Sequence, residues 1–179
     1  ADMQKYIDNH GGNFKLAAWD YYYYAEKVKK ERFNISEDEV RPYFKLDNVV
    51  KGLFEYANRM FGITFKELPK APKYNPEVTV YEVKDANGDH VAIFMTDYFP
   101  RATKRQGAWM SEFRGEYNYN GESVRPIVYN VGNFTKPTKD LPSLLTIDEV
   151  ETTFHEFGHA LQGMLTRAQF RGIAGTNVD

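Results

Sequence analysis

The stretch Leu141-Pro-Ser-Leu-Leu-Thr146-Ile-Asp-Glu149-Val-Glu-Thr-Thr-Phe-His155-Glu156-Phe-Gly-His159-Ala-Leu-Gln-Gly-Met-Leu165 decides how the rest of the chain is read. Thr146 and Glu149 have the spacing of a capping box, in which a hydroxyl and a carboxylate each satisfy a backbone N–H at a helix start. Asp148, Glu149 and Glu151 suit the positive end of a helix dipole. Val150, Phe154, Leu161 and Leu165 then recur on one side. The pattern predicts a helix from Thr146 to roughly Arg167.

Inside it lies His155-Glu156-Phe157-Gly158-His159, an H-E-x-x-H match. Residues four apart on a helix differ by about 40° in direction and about 6 Å in height, so two imidazoles can converge on one ion. A zinc ion held by such a pair keeps a position for water and lowers its pKa to about 7. Glu156 stands where a general base for that water is needed. The alternative is a non-catalytic helix whose histidines serve packing or partner binding. His10 and His90 stand apart from the motif and read as surface residues.

The ligand count is incomplete. The metzincin pattern continues with Gly and His where this chain has Gln162 and Leu165, so that branch fails. Between Ala160 and Val178 there is no Asp or Glu; the only acid further on is Asp179. A catalytic zinc needs three protein ligands. Either the third comes from upstream or the chain stops before it, and truncation is the simpler expectation. Two imidazoles alone predict weakly held zinc and an inactive fragment.

Composition narrows the rest. Lys+Arg is 23 and Asp+Glu is 25 among 179 residues, a net charge of -2, without the basic excess that nucleic-acid binding needs. No apolar run approaches a membrane span, so a soluble protein is expected. Cysteine is absent, which removes disulfides and thiolate chemistry and leaves His, Asp, Glu and backbone oxygen as metal donors. Aromatics make up 16%. They either line a groove or face a part of a larger protein outside these residues.

Walking outward, Phe14, Ala18, Tyr21, Ala25 and Val28 predict a helix from about Asn13 to Arg32. Tyr21 to Tyr24 wrap aromatics around it, which argues for burial and for packing rather than binding. Asp47 or Asn48 can cap a second helix bearing Val50, Leu53, Ala57 and Met60, stopped by Gly62. Val78 to Lys84 and His90 to Tyr98 read as a hairpin with Asn87-Gly88 near its tip. Arg101 to Ser123 reads as mostly loop, and Ile127 to Phe134 as another strand. The expected fold is α+β and mainly helical: residues 1–68 helical, 69–145 sheet and loops with a small, mostly antiparallel sheet, 146–179 the H-E-x-x-H helix and a turn.

Phe154-His-Glu-Phe-Gly-His159-Ala-Leu, Asn133-Phe134, Pro142-Ser-Leu-Leu145, Asp148-Glu-Val150 and Gly175-Thr-Asn177 together resemble the thimet oligopeptidase family of zinc metallopeptidases. Trp19-Asp20, Tyr24-Ala-Glu26 and Lys104-Arg-Gln-Gly-Ala-Trp109 are most similar to its bacterial dipeptidyl carboxypeptidase (peptidyl-dipeptidase) branch. The resemblance spans nearly all of this chain but only about a quarter of a family member. It implies a zincin-like fold, one zinc per site, His155 and His159 as ligands, Glu156 as general base, and a glutamate ligand a few residues beyond Asp179. It implies short peptides as substrates, release of C-terminal dipeptides or endo-acting cleavage in a deep channel, and the remainder of the same polypeptide as a partner. The compartment, bacterial cytoplasm or periplasm, stays open. Gln162 departs from many relatives, which carry His there.

Two weaker site readings remain. Tyr129-Asn130-Val131-Gly132-Asn133 is either a sheet edge that pairs with substrate backbone or an internal strand with a glycine bulge. Asp97, Tyr98, Arg101, Lys104 and Arg105 either border the channel and hold a substrate carboxylate or form solvated salt bridges.

Overall fold

The computed structural model describes residues 1–177. The chain forms two compact units, the second beginning at Phe44.

The first unit holds α1 (Asp2–Asn9), α2 (Tyr21–Phe33) and α3 (Glu37–Val40), with a single 3-10 turn at Ala18–Asp20 before α2. The helix predicted from Asn13 starts at Tyr21, for a local reason. Gln4 accepts from Leu16 N at 2.8 Å and donates to Phe14 O at 3.0 Å, and the Asp20 carboxylate takes Ala17 N at 3.0 Å. Those backbone groups are committed to side chains and cannot join a helix ladder. Arg32 ties α2 to Asp2 at 2.7 Å. The expected burial of the tyrosine run does not occur: α2 buries no residue, and Tyr22 is 85% exposed.

The second unit is a five-stranded sheet with two helices on one face. The helix α4 (Leu46–Phe61) has Lys45 at its N-cap, two residues before Asp47 and three before Asn48, and ends at Gly62 with φ 68°, the left-handed conformation that glycine allows. Strands β1 (Thr64–Glu67), β2 (Thr79–Lys84), β3 (His90–Asp97), β4 (Trp109–Arg114) and β7 (Ile127–Val131) lie in the order β1-β2-β3-β7-β4. All neighbours are antiparallel except β3 and β7, which are parallel, so the sheet is mixed. Strands β5 (Tyr117–Tyr119) and β6 (Glu122–Val124) form a separate hairpin. The β2–β3 turn is held by Asp85, whose carboxylate accepts from Asn87 N at 2.9 Å and Asp89 N at 3.0 Å. The region read as mostly loop therefore contains three strands. β4 is partly buried for most of its length, without the alternation that marks a strand in sequence.

The helix α5 (Ile147–Leu165) completes the unit. Its capping box is formed: Glu149 N donates to Thr146 Oγ1 at 3.1 Å, and Thr146 N to Glu149 Oε2 at 2.8 Å. Such a cap contributes about 1 kcal/mol. Phe157, Ala160 and Met164 of α5 meet Leu53 and Ala57 of α4 and Phe94 and Val128 of the sheet in one core. Phe157 is 2% exposed, and burying a side chain of that size stabilises by about 2 kcal/mol. Alternation along β3 sends Ala92 and Phe94 to this helix-covered face and Met95 to the other, where it meets Val78 and Val80. The fold is α+β.

Candidate metal centre

The buried side of α5 fixes what its other side offers. With Phe157 and Ala160 turned to the sheet, His155 and His159 are exposed and Glu156 is half-buried. The two imidazoles cross nearly at right angles, 87° apart with centroids separated by 4.7 Å. Their Nε2 atoms are 3.1 Å from each other. Two nitrogens bound to one tetrahedral zinc at ordinary bond lengths stand about 3.3 Å apart, so the donor pair fits such an ion. Among the described residues no third His, Asp or Glu joins the pair. Asp179 lies outside the described residues.

His10 is exposed, its Nδ1 2.8 Å from Tyr6 O and its ring stacked on Tyr6. His90 is an exposed residue 3.4 Å from Glu82.

The other predicted site residues are engaged within the chain. β7 lies between β3 and β4, so Asn130 and Val131 are on an internal strand and not on an edge; both are buried. The open edges of the sheet are β1 and β4. Gly132 permits a close approach, but an internal one: a Cβ there would stand 3.0 Å from the Phe134 ring and 3.3 Å from Tyr98. Asn133 donates to Arg105 O at 2.9 Å and Gly107 O at 2.7 Å, which anchors the loop before β4. Tyr98 is buried with Phe134 and Leu145 rather than lining an open surface. The Asn130 side-chain amide and the Tyr98 hydroxyl find no hydrogen-bond partner among the described residues.

Arg101 donates to both oxygens of Asp97 at 2.8 Å, Lys104 Nζ reaches Asp97 Oδ1 at 2.9 Å, and the Tyr74 hydroxyl reaches Oδ2 at 2.8 Å. Asp97 and Lys104 side chains are each 2% exposed. This is a buried ion cluster, neither a solvated surface pair nor an open carboxylate cradle. Burial alone would raise the Asp97 carboxyl, but hydrogen bonds from Arg101, Lys104 and Tyr74 outweigh it and hold it below the ordinary carboxylate value. Burial pulls the Lys104 ammonium down, against the pull of Asp97. Burial, then the bond to Asp97, pushes the Tyr74 phenol up.

Sequence reasoning missed the group that fastens the end of α5. Arg125 Nε donates to Val91 O at 2.6 Å and Nη2 to Met164 O at 3.0 Å, while Nη1 pairs with the buried Glu116. One guanidinium thus joins β3, the segment after β4 and the last turn of α5. Its partners lie 9, 34 and 39 positions away, so no local pattern announces it. After α5 the chain turns at Gly175, with φ 61°. Gln162 Nε2 donates to Gly175 O and Gly175 N to Thr166 Oγ1, both at 3.2 Å.

No helix of the described residues is long and apolar enough to cross a membrane. The chain is similar to dipeptidyl carboxypeptidase of Escherichia coli (strain K12), with 42% identity over 99% of this chain and 26% of that protein. It is 39% identical to oligopeptidase A of the same organism over 98% of this chain and 26% of the relative. It is 41% identical to the organellar oligopeptidase A, chloroplastic/mitochondrial, of Arabidopsis thaliana over 97% of this chain and 23% of the relative. The chain thus spans about a quarter of the length of the curated relatives it matches. The family model for Peptidase family M3 matches residues 1–179, and the chain belongs to that family.

Proposed function

We propose that these residues carry part of the centre of a zinc-dependent metallopeptidase that hydrolyses short peptides and releases dipeptides from their C-termini. His155 and His159 hold the zinc, and Glu156 is the general base. The observation that carries the reading is the convergence of the two Nε2 atoms at 3.1 Å on the exposed side of a helix whose other side is locked into the core. The names of the relatives support the substrate class, since dipeptidyl carboxypeptidase and oligopeptidase A both denote peptide-cleaving enzymes.

Zinc, when bound, supplies Lewis acidity at the substrate carbonyl and eases deprotonation of the attacking water. Glu156 takes that proton as the water attacks and passes it to the leaving amine, which makes it the catalytic residue of this chain. α5 sets the directions of all three side chains through its cap and its buried face. The open edge β4 offers backbone groups that an extended peptide can pair with, the role considered for β7 in the sequence. The zincin-like description of the fold rests on the same helix-and-edge arrangement. The remainder of the polypeptide is the proposed source of the third ligand and of the walls of a channel.

Glu156→Gln in the full-length enzyme is expected to lower turnover by about 10²- to 10⁴-fold while leaving zinc stoichiometry unchanged. Retained activity in steady-state peptide hydrolysis ends the general-base assignment. The similarity to oligopeptidase A supports an endo-acting second reading. Product ladders from one peptide with a free and one with a blocked C-terminus separate the two, since only endo-acting cleavage survives blocking.

A further inference from the structure

We propose that the turn Asn120-Gly121 is a site of spontaneous covalent modification, where the asparagine amide is converted to aspartate and isoaspartate. The same dipeptide at Asn87-Gly88 is held against that reaction by its turn.

The chain carries Asn-Gly at the tips of two hairpins, β2–β3 and β5–β6. A glycine after asparagine has no Cβ to screen its backbone nitrogen, so that nitrogen can approach the side-chain amide. Both asparagines and both glycines are exposed, so access of water does not separate the two sites. The engagement of the glycine N–H does.

At the first site Gly88 N donates to Asp85 O at 3.0 Å. The Asp85 carboxylate also accepts from Asn87 N and Asp89 N, at 2.9 and 3.0 Å. The attacking nitrogen is therefore tied back, and the turn around it is braced by a charged acceptor. At the second site Tyr119 stands opposite Glu122, which leaves Asn120 and Gly121 alone to make the turn. Their φ values are 50° and 83°. Two positive values in a two-residue hairpin are the type I′ turn. The bond that closes such a turn comes from the residue after the glycine, so it does not use Gly121 N. Among the described residues Gly121 N has no hydrogen-bond acceptor.

The chemistry needs only water. Gly121 N gives up its proton to solvent and bonds to Asn120 Cγ. The Cγ–Nδ2 bond breaks, and Nδ2 leaves as ammonia with a proton from solvent, closing a five-membered succinimide. Water opens that ring at Cγ to give aspartate, or at the Asn120 main-chain carbonyl to give isoaspartate. Either product adds a negative charge close to Glu122. Isoaspartate also adds a methylene to a main chain that has two residues in which to turn. The feet of that hairpin are Glu116 and Arg125, the pair whose guanidinium holds Met164 O at the end of α5.

The test ages the folded full-length polypeptide at mildly alkaline pH and follows both asparagine peptides by mass spectrometry, with isoaspartate counted by enzymatic methylation. Asn120 is expected to convert at least about tenfold faster than Asn87, the scale set by the hydrogen bonds that hold Gly88 and its turn. In urea the two rates are expected to converge, because the dipeptide is the same. Equal rates in the folded protein, or faster conversion at Asn87, overturn the proposal. So does an Asn120 that stays intact when folded yet converts in urea, since the I′ turn would then be the protected one. Asp85→Ala removes the braces on Asn87 N and Asp89 N. It is expected to speed conversion at Asn87 several-fold and leave Asn120 unchanged. An unaltered rate at Asn87 in that variant overturns the assignment of protection to its turn.

Discussion

Residues 1–43 and the residues from Phe44 onward divide their apolar side chains in opposite ways. The first unit buries one large aliphatic group, Ile7, and leaves Trp19, Tyr22, Phe33 and Tyr43 at 86, 85, 65 and 79% exposure. The second buries Leu53, Phe94, Val128, Phe157 and Met164 in a continuous core. Both units are rich in aromatics, so composition does not make the difference. A sheet with helices on one face gives the second unit a surface to bury against. The first has short helices joined mainly by polar links, Gln4 to the 14–16 segment and Arg32 to Asp2. Four large aromatic side chains left this exposed by a unit of 43 residues fit the proposal that a larger polypeptide surrounds these residues.

The sharpest way to break the contrast is to attack the buried charges of the second unit. Asp97→Ala leaves Lys104 buried without its carboxylate and is expected to cost about 3–5 kcal/mol in urea unfolding. A cost near zero means that the cluster is solvated and the second unit is less closed than described. The pH dependence follows from the same group. A carboxyl held below its ordinary value stabilises the fold above that value and loses the contribution as pH falls through its folded value. The urea midpoint is therefore expected to decline below about pH 4 in the wild type, and Asp97→Asn to remove part of that decline.

Gly163→Val tests the contact between α5 and the sheet. A Cβ at that position meets Met110 Cε at 2.7 Å and Val128 Cγ2 at 3.2 Å. Met110 can yield but Val128 is fully buried, so a loss of about 1–3 kcal/mol is expected in thermal or urea unfolding. The smallest effect belongs to the first unit. Tyr22→Ser is expected to change unfolding stability of this chain by less than about 0.5 kcal/mol. A larger cost shows that the tyrosine is covered in solution and sharpens the account of the first unit.

What was legible in the sequence was local. Thr146 and Glu149 announced the start of α5, Gly62 the end of α4, and Asn87-Gly88 the β2–β3 turn, because each signal lies within a few residues of the bond it makes. The meeting of His155 and His159 was legible for the same reason, four positions on one helix. β4 was not, since an edge strand half-covered on both sides shows no alternation. The position of β7 depended on β4 and was left open for that reason. Whether Arg101 and Lys104 hold a substrate or form solvated salt bridges was open in the sequence, because their partner, Asp97, is only recognisable as buried once Tyr74 and β3 close around it. The start of α2 moved because a side chain twelve residues away, Gln4, claimed Leu16 N.

The parallel pairing of β3 with β7 carries a cost in time. β3 ends at Asp97 and β7 begins at Ile127, so 29 residues must be synthesised before β3 finds its second neighbour. β4 emerges within that interval yet pairs only with β7, so it too must wait. Until then the β2–β3 hairpin presents an unpaired edge flanked by Phe94 and Met95, the kind of template on which other nascent chains can add. Residues 98–126 thus govern how long the young protein is exposed to misassembly, and lengthening that excursion is a route to poor yield that leaves the finished fold untouched.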